Sequence, residues 1–255
     1  MANQSTSSST LTNVSEQTGF KGPTNPFAPK NRLLAKLPLE DFRRIRPSLQ
    51  TVDLEFKKTI YEPGVPIDHA YFVEAGLISV VSVMDNGSII EIATIGNEGV
   101  AGWTLSLGVD RVPNRYLVQI EGRAFRISGD VLRRETTGET ALKRILQLYN
   151  ATFMTQVMQG VACNGLHSVQ QRCCRWLLMC QDRAESDEYT ITHEFLSQML
   201  GVRRASVTDV LRPLQERGLI SYGRGKMRIV DRKALEETSC ECYRAICEEF
   251  DRLLA

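Results

Sequence analysis

Residues 192–230 read THEFLSQMLGVRRASVTDVLRPLQERGLISYGRGKMRIV, which is the most informative part of the sequence. Thr192 is suited to cap a helix that ends before Gly201, because glycine readily adopts the left-handed conformation that follows a helix. The apolar residues of the next segment recur at the i, i+3, i+4, i+7 spacing of one helix face, namely Val207, Val210, Leu211 and Leu214. Two helices joined by a tight glycine turn predict a helix-turn-helix.

The residues after Gly218 predict a β-hairpin whose tip, Gly223-Arg224-Gly225, is basic. A hairpin in this position is a wing, placed to meet phosphates. Pro213 lies inside the second predicted helix, where proline removes one backbone hydrogen bond. We therefore expect a kink or an early end of that helix at Pro213.

Charge is concentrated on this module. The chain of 255 residues has 31 Lys and Arg against 30 Asp and Glu, so its total charge points to neither nucleic acid nor membrane. Residues 203–233 alone hold nine basic and three acidic residues, which is the electrostatic footprint of DNA binding. The predicted DNA contacts are Arg203, Arg204, Ser206, Thr208 and Arg212 on the second helix and Arg224 and Lys226 in the wing. Two alternatives remain: a solvated charged surface, and a winged helix that docks a protein partner.

Upstream, residues 52–128 alternate between runs rich in Val, Ile, Tyr and Phe and breaks that contain glycine. Short strands at such regular spacing predict an all-β barrel or sandwich. Asp85-Asn86-Gly87 lies between two apolar runs, and Asn-Gly is a strong signal for a hairpin.

Residues 136–165 predict one long helix, with Thr136 and Glu139 as its capping box. Apolar and amide residues alternate spacings of four and three, which is the seam of a two-stranded coiled coil; they are Leu142, Leu146, Tyr149, Phe153 and Gln156. Met154, Met158 and Val161 add a second apolar face. We therefore expect the helix to contact both its own barrel and a second copy of the chain in a homodimer. The alternative is one helix buried inside a monomer.

The remaining sequence sets the compartment and the domain organisation. Seven cysteines, all at or after Cys163, do not resemble a disulfide framework, so we expect a reducing, cytoplasmic location. Neither a secretory signal nor a membrane span is predicted. We divide the chain into a disordered tail (1–30), a sensor barrel (31–135), a dimerisation helix (136–165), a winged helix-turn-helix (166–238) and a C-terminal helix (239–255).

The chain resembles the Crp/Fnr family of bacterial transcription regulators between about Leu33 and Leu235. The resemblance rests on the predicted barrel, the long helix and the segments THEFLSQMLGVRRASVTDVL and ERGLISYGRGKMRIVD. The resemblance implies an α+β protein with a jelly-roll, cyclic-nucleotide-binding-like barrel that senses a signal. It also implies a dimerising helix and a winged helix-turn-helix that binds an inverted-repeat promoter site on double-stranded DNA. RNA polymerase is the further partner it implies, and an enzymatic activity is not expected.

This sequence departs from the family pattern at two places. The family's recognition helix often reads Ser-Arg-Glu-Thr-Val, whereas residues 203–207 read RRASV, so Arg204 and Ser206 carry over and Ala205 replaces the glutamate. Cyclic-AMP-binding members have a Gly-Glu pair for the ribose and an Arg-Ser-Ala run for the cyclic phosphate. Here the stretches read GNEG (96–99) and VPNR (112–115), which leaves Glu98, Arg111 and Arg115 as candidate ligand-binding residues. We therefore expect that cyclic AMP is not the effector.

No cofactor is predicted. The N-terminal cysteines of iron–sulfur members are missing, and for haem only His69 is available in the barrel. Cys240, Cys242 and Cys247 have no fourth ligand nearby in sequence, so they do not form a closed zinc pattern. Buried or idle thiols are the expectation, and metal binding or oxidation is the alternative. The three histidines are scattered, and no catalytic motif accompanies them.

Overall fold

The computed structural model describes residues 29–254. The predicted disordered tail therefore lies, apart from its last two residues, outside the described part of the chain. Within residues 29–254, no helix combines the length and the apolar character needed to cross a membrane.

The N-terminal half is built on one antiparallel sheet. Its strands are β1 (Gln50–Leu54), β2 (Thr59–Tyr61), β3 (His69–Val83), β4 (Ile89–Ile95), β5 (Val100–Ala101) and β6 (Arg115–Ser128). The order is β1-β6-β3-β4, while β2 also pairs with β6 and β5 with β3. The predicted hairpin joins β3 to β4, with Val83 opposite Ile89 and Gly87 at a φ of +79°.

Beta bulges interrupt the pairing of the two long strands, β3 and β6. A side chain at Gly76 would place its Cβ 2.6 Å from the carbonyl oxygen of Ile120, and one at Gly122 would place it 2.1 Å from that of Ala75. Both positions require glycine because the two backbones approach so closely.

Helices cover this sheet and form the C-terminal half. They are α1 (Arg32–Ala35), α2 (Leu39–Ile45), α3 (Gly129–Glu135), α4 (Ala141–Leu166), α5 (Val169–Gln181), α6 (His193–Leu200), α7 (Arg204–Glu216), α8 (Arg232–Thr238) and α9 (Cys242–Leu254). A second sheet has the order β7-β9-β8, with β7 (Glu188–Thr190), β8 (Ile220–Gly223) and β9 (Lys226–Ile229). An antiparallel N-terminal sheet followed by a helix-turn-helix confirms the predicted α+β class.

The predicted start of the long helix is wrong. Thr136 ends α3, where its hydroxyl donates to the carbonyl oxygen of Leu132 at 2.8 Å. The helix α4 begins at Ala141 and is capped by Thr140, whose hydroxyl accepts from the backbone N–H of Lys143 at 3.1 Å. Gly138, at a φ of +76°, separates the two helices. The far end also differs, because α4 runs to Leu166.

The predicted dimer seam is also wrong in its residues. Leu142, Leu146, Tyr149 and Gln156 are buried within the chain, and Phe153 is partly buried beside Trp103, with ring centroids 6.0 Å apart. Gln156 holds the sheet directly: its side-chain carbonyl accepts from the backbone N–H of Thr94 at 2.7 Å. The spacing of four and three therefore serves packing of α4 against its own protomer.

The opposite face of α4 is apolar and exposed. Met154 is 52% exposed, Met158 59%, Val161 70% and Leu166 83%. Two of these residues are methionines, and none of the four contributes to the described core. The described part of the chain does not cover this second face of α4.

Candidate nucleic-acid interface

The helix-turn-helix forms as the local signals predict. The Thr192 hydroxyl accepts from the backbone N–H of Phe195 at 3.1 Å and starts α6, and Gly201 ends it at a φ of +63°. The apolar stripe of α7 is buried, including Val207 and Leu214. The helix does not stop at Pro213 but continues to Glu216, and Leu214 is buried beyond the proline.

The outer face of α7 is small, polar and basic. Its exposed residues are Arg204, Ala205, Thr208, Asp209 and Arg212, and Arg203 is exposed at the N-cap. Ser206 is only partly exposed. A helix with small side chains and arginines at its N-terminal end fits the major groove, where arginine donates to guanine O6 and N7.

The basic residues among the predicted DNA contacts differ in whether they form an ion pair within the chain. Arg212 donates to Glu216 at 2.8 Å, and Lys226 lies 3.5 Å from Glu188. Among the described residues, no ion pair engages Arg203, Arg204 or Arg224. Those three guanidinium groups can bind an anion without breaking an existing ion pair.

The wing is a two-residue hairpin. Gly223 pairs with Lys226, while Arg224 has a φ of +50° and Gly225 a φ of +75°. Two successive residues with positive φ match the right-handed twist of the flanking strands. This turn sets Arg224 at the exposed tip of the wing.

Two residues that the sequence analysis missed connect α6, α7 and the wing. The imidazole of His193 stacks on Tyr222 of β8, with centroids 4.9 Å apart and planes 20° from parallel. Its Nδ1 lies 3.2 Å from the Thr208 hydroxyl. Desolvation and the neighbouring Arg204 lower the pKa of His193, which favours the neutral ring. No sequence signal indicates this contact, because His193 and Tyr222 come from different elements 29 positions apart.

The N-terminal sheet touches the turn of the helix-turn-helix. A side chain at Gly201 would place its Cβ 2.6 Å from Cδ1 of Ile90 on β4. From the other side, Arg172 of α5 donates to the carbonyl oxygen of Leu200. The turn between α6 and α7 is therefore in direct contact with the N-terminal sheet.

The three candidate ligand-binding residues have three different partners. Glu98 accepts from Arg183 at 2.8 Å, Arg115 donates to Glu62 at 2.9 Å, and Arg111 donates to the carbonyl oxygen of Gly64 at 2.6 Å. Glu98 is buried, whereas Arg111 is exposed and Arg115 is partly exposed. They do not converge on one ligand in this conformation.

The cysteines near the C-terminus are not isolated. Cys240 and Cys242 are buried beside Cys163 and His167 at the end of α4, and the ligand atoms of these four residues all lie within 4.8 Å of one another. Cys247 lies outside this group. Two of the four residues, Cys163 and His167, therefore come from a distant part of the chain.

Comparison with known proteins agrees with this geometry. Residues 171–238 match the family model described as a Crp-like helix-turn-helix domain. The crystal structure of a putative transcriptional regulator of the Crp/Fnr family from Eubacterium rectale is similar over 81% of this chain and 96% of that chain, with a TM-score of 0.63 and 21% identity. The family model and the curated relatives support a transcription regulator of the Crp/Fnr type, with a Crp-like helix-turn-helix domain at residues 171–238.

Two further proteins resemble this Crp/Fnr regulator. The transcriptional regulator LdrP of Thermus thermophilus is 25% identical over 192 residues, which cover 71% of this chain and 92% of LdrP. The structure of FixK2 from Bradyrhizobium japonicum has a TM-score of 0.64 at 15% identity and covers 75% of this chain and 98% of that chain. The similarity therefore extends well beyond the helix-turn-helix domain and includes most of each relative.

Proposed function

We propose that this Crp/Fnr regulator binds an inverted-repeat promoter site as a homodimer and controls transcription in response to a signal other than cyclic AMP. The observation that carries the proposal is the exposed N-terminal end of α7, where Arg203 and Arg204 are exposed without an ion pair among the described residues. The wing presents Arg224 and Lys226 beside the same module. The predicted contacts with Ser206, Thr208 and Arg212 remain part of this proposal.

The exposed face of α4 supports the dimer. Met154, Met158 and Val161 follow a spacing of four and three, which is the spacing of a coiled-coil seam. At 1.5 Å per residue, the 26 residues of α4 span about 39 Å. Two copies packed along this face present two recognition helices, and a symmetric dimer reads half-sites about one helical turn apart.

The engaged state of the candidate ligand residues supports an effector other than cyclic AMP. A buried cyclic phosphate needs a cation and hydrogen-bond donors to replace its water. Here Arg115 is paired with Glu62. Of the residues just before it, Val112 is apolar and buried, and Pro113 has no backbone N–H to donate. The Glu98 carboxylate is likewise bound to Arg183.

Selection of binding sites from random double-stranded DNA tests the function. We expect an enriched inverted repeat, and binding of the purified protein to it should be at least 1000-fold tighter than to unrelated DNA at physiological salt. Equal affinity for every sequence would contradict the proposal. Capture of a protein partner without any DNA binding would favour the alternative, in which the winged helix docks a protein. The family resemblance supports RNA polymerase as the partner of the DNA-bound dimer.

A further inference from the structure

Four side chains with metal-binding atoms meet where α4 ends and α9 begins. Cys163 lies in the last turn of α4, and His167 is the residue that ends this helix. Cys240 precedes α9, and Cys242 is its first residue. The Sγ atoms of Cys163 and Cys240 are 3.5 Å apart, and Sγ of Cys242 is 3.5 Å from Nδ1 of His167.

The three thiols are buried apart from the main core. Cys163 and Cys242 are fully buried and Cys240 is 4% exposed, and together they form a separate cluster. An ordinary core cysteine packs among aliphatic and aromatic side chains, as Cys173 and Cys174 do in this protein. In this cluster the sulfur atoms have each other and an imidazole as neighbours, which is the donor set of a structural zinc site.

The spacing of the ligand atoms fits one ion. Zinc–sulfur bonds of about 2.3 Å in a tetrahedron place neighbouring sulfur atoms about 3.8 Å apart. The two closest pairs measure 3.5 Å, and all four ligand atoms lie within 4.8 Å of one another. An iron–sulfur cluster needs wider separations, because its ligands bind different iron atoms across bridging sulfides.

The surrounding residues orient the ligands. The Nε2 atom of His167 lies 3.2 Å from a carboxylate oxygen of Glu241, which leaves Nδ1 to face the thiols. A carboxylate on the far nitrogen of a ligating histidine is the usual second-sphere partner in zinc sites. The Nε2 amide group of Gln159 donates to the sulfur of Cys242 at 3.1 Å.

The local charge also suits an ion with three thiolates. Three thiolates and one divalent cation carry one net negative charge, which must be compensated when the site is buried. Arg175 interacts electrostatically with Cys163, and Arg172 interacts with both Cys163 and Cys240. Both arginines belong to α5, so this helix contributes positive potential at the cluster.

We propose that Cys163, His167, Cys240 and Cys242 bind one zinc ion, which joins the start of α9 to the end of α4. His167 ends α4 and Ser168 caps α5, so the ion lies at the junction between the long helix and the helix-turn-helix module. Occupancy of the site fixes the start of α9 against the end of α4, directly before the residue that caps α5.

Metal analysis of the full chain tests the proposal. Protein purified under reducing conditions with zinc, then dialysed against metal-free buffer, should retain one zinc ion per chain. The substitutions Cys163→Ser and Cys242→Ser should each reduce retention at least tenfold. Cys247→Ser is the matched control, since it removes a nearby C-terminal thiol that lies outside the cluster, and it should retain the full equivalent.

Cobalt reconstitution gives a readout that a folding defect alone does not mimic. The wild-type protein should show the visible bands of tetrahedral Co²⁺ and a near-ultraviolet thiolate-to-cobalt band. His167→Cys should keep one ion per chain and strengthen that ultraviolet band, because a fourth thiolate replaces the imidazole. A wild-type chain that retains no zinc would overturn the proposal, as would a Cys163–Cys240 disulfide, iron with acid-labile sulfide, or equal zinc loss in Cys247→Ser.

Discussion

Glu98 and Arg183 form a buried ion pair that joins the N-terminal sheet to the segment that follows α5. Oε1 of Glu98 accepts from Nε and Nη2 of Arg183 at 3.0 and 2.8 Å, and both side chains are 1% exposed. Gly96 makes room for the guanidinium group, since a Cβ there would lie 2.4 Å from the Arg183 side chain. The carboxylate that sequence comparison suggests for a ribose is therefore bound to the C-terminal half of the chain.

Removing one partner of this pair should be strongly destabilising. We expect Arg183→Met to lower the free energy of unfolding by about 3–5 kcal/mol, because it leaves the Glu98 carboxylate buried without its counter-ion. Urea unfolding of the purified protein measures the change. Arg123→Met is the matched control: it breaks an exposed pair with Glu185 and should cost no more than about 1 kcal/mol. Equal losses in the two variants would contradict the assigned role.

A second buried contact between the two halves should make stability depend on pH. Glu91 of β4 accepts from the Ser79 hydroxyl at 2.6 Å and from the indole N–H of Trp176 on α5 at 2.9 Å. Desolvation raises the pKa of this carboxyl to about 7, against an ordinary value of 4.5, while its hydrogen bonds and nearby arginines oppose the rise. The folded state then holds a proton that the unfolded state has released.

The sign follows from linkage. Between about pH 4.5 and pH 7 the folded protein binds more protons at Glu91 than the unfolded chain, so the contribution of Glu91 to stability falls as the pH rises and levels off above pH 7. The loss amounts to at most roughly 3.5 kcal/mol, at about 1.4 kcal/mol for each pKa unit. Urea unfolding at pH 5 and pH 8 should show a smaller decline for Glu91→Gln than for the wild type. Parallel pH dependences in the two proteins would exclude this contribution.

How much the sequence could predict differs between local and distant contacts. Thr192, Gly201 and the Gly223-Arg224-Gly225 turn act on their immediate neighbours, so the helix-turn-helix and the wing follow from the sequence. The period of α4 shows that it has an apolar face, but it does not show what covers that face. The period alone therefore predicts that Leu142 and Gln156 contact a partner copy, although they pack within the chain.

The cysteine cluster could not be predicted from the sequence for the same physical reason. The other two members of the cluster lie far upstream in sequence: Cys163 is 77 positions before Cys240, and His167 is 75 positions before Cys242. Only the packing of α9 against α4 brings these residues together, and no local spacing encodes that packing. The stacking of His193 on Tyr222 is another contact between elements that local patterns do not reveal.

The exposed face of α4 should control the oligomeric state. Met158→Glu places a charge in the middle of the proposed interface, where a carboxylate loses its water without gaining a partner. We expect the variant to be monomeric by light scattering at concentrations at which the wild type is dimeric. Leu39→Glu, which changes a residue 61% exposed on α2, should remain dimeric. A dimeric Met158→Glu variant would place the interface elsewhere.

Base contacts and phosphate contacts should separate in binding experiments. Arg204→Ala should weaken binding to the selected site by about 1–3 kcal/mol and relax the preference at one position of each half-site. Arg224→Ala should weaken binding to all sequences alike and reduce the salt dependence by about one counterion per protomer. Fluorescence anisotropy with specific and unrelated DNA at several salt concentrations measures both effects. Unchanged sequence preference in Arg204→Ala would refute its role as a base reader.

Calorimetric titration should show no binding of cyclic AMP or cyclic GMP at micromolar concentration. A buried cyclic phosphate could bind Arg115 only by breaking its ion pair with Glu62. The apolar side chain of Val112 and the backbone of Pro113, which has no N–H, provide no hydrogen-bond donor in its place. It would also leave the ribose without Glu98, which Arg183 holds in the interior. Glu62→Gln is the informative companion, because it frees Arg115 without altering the rest of the stretch. If the wild type binds at micromolar concentration and Arg115→Ala abolishes that binding, the effector is a cyclic nucleotide. If neither the wild type nor Glu62→Gln binds, the result supports a different signal.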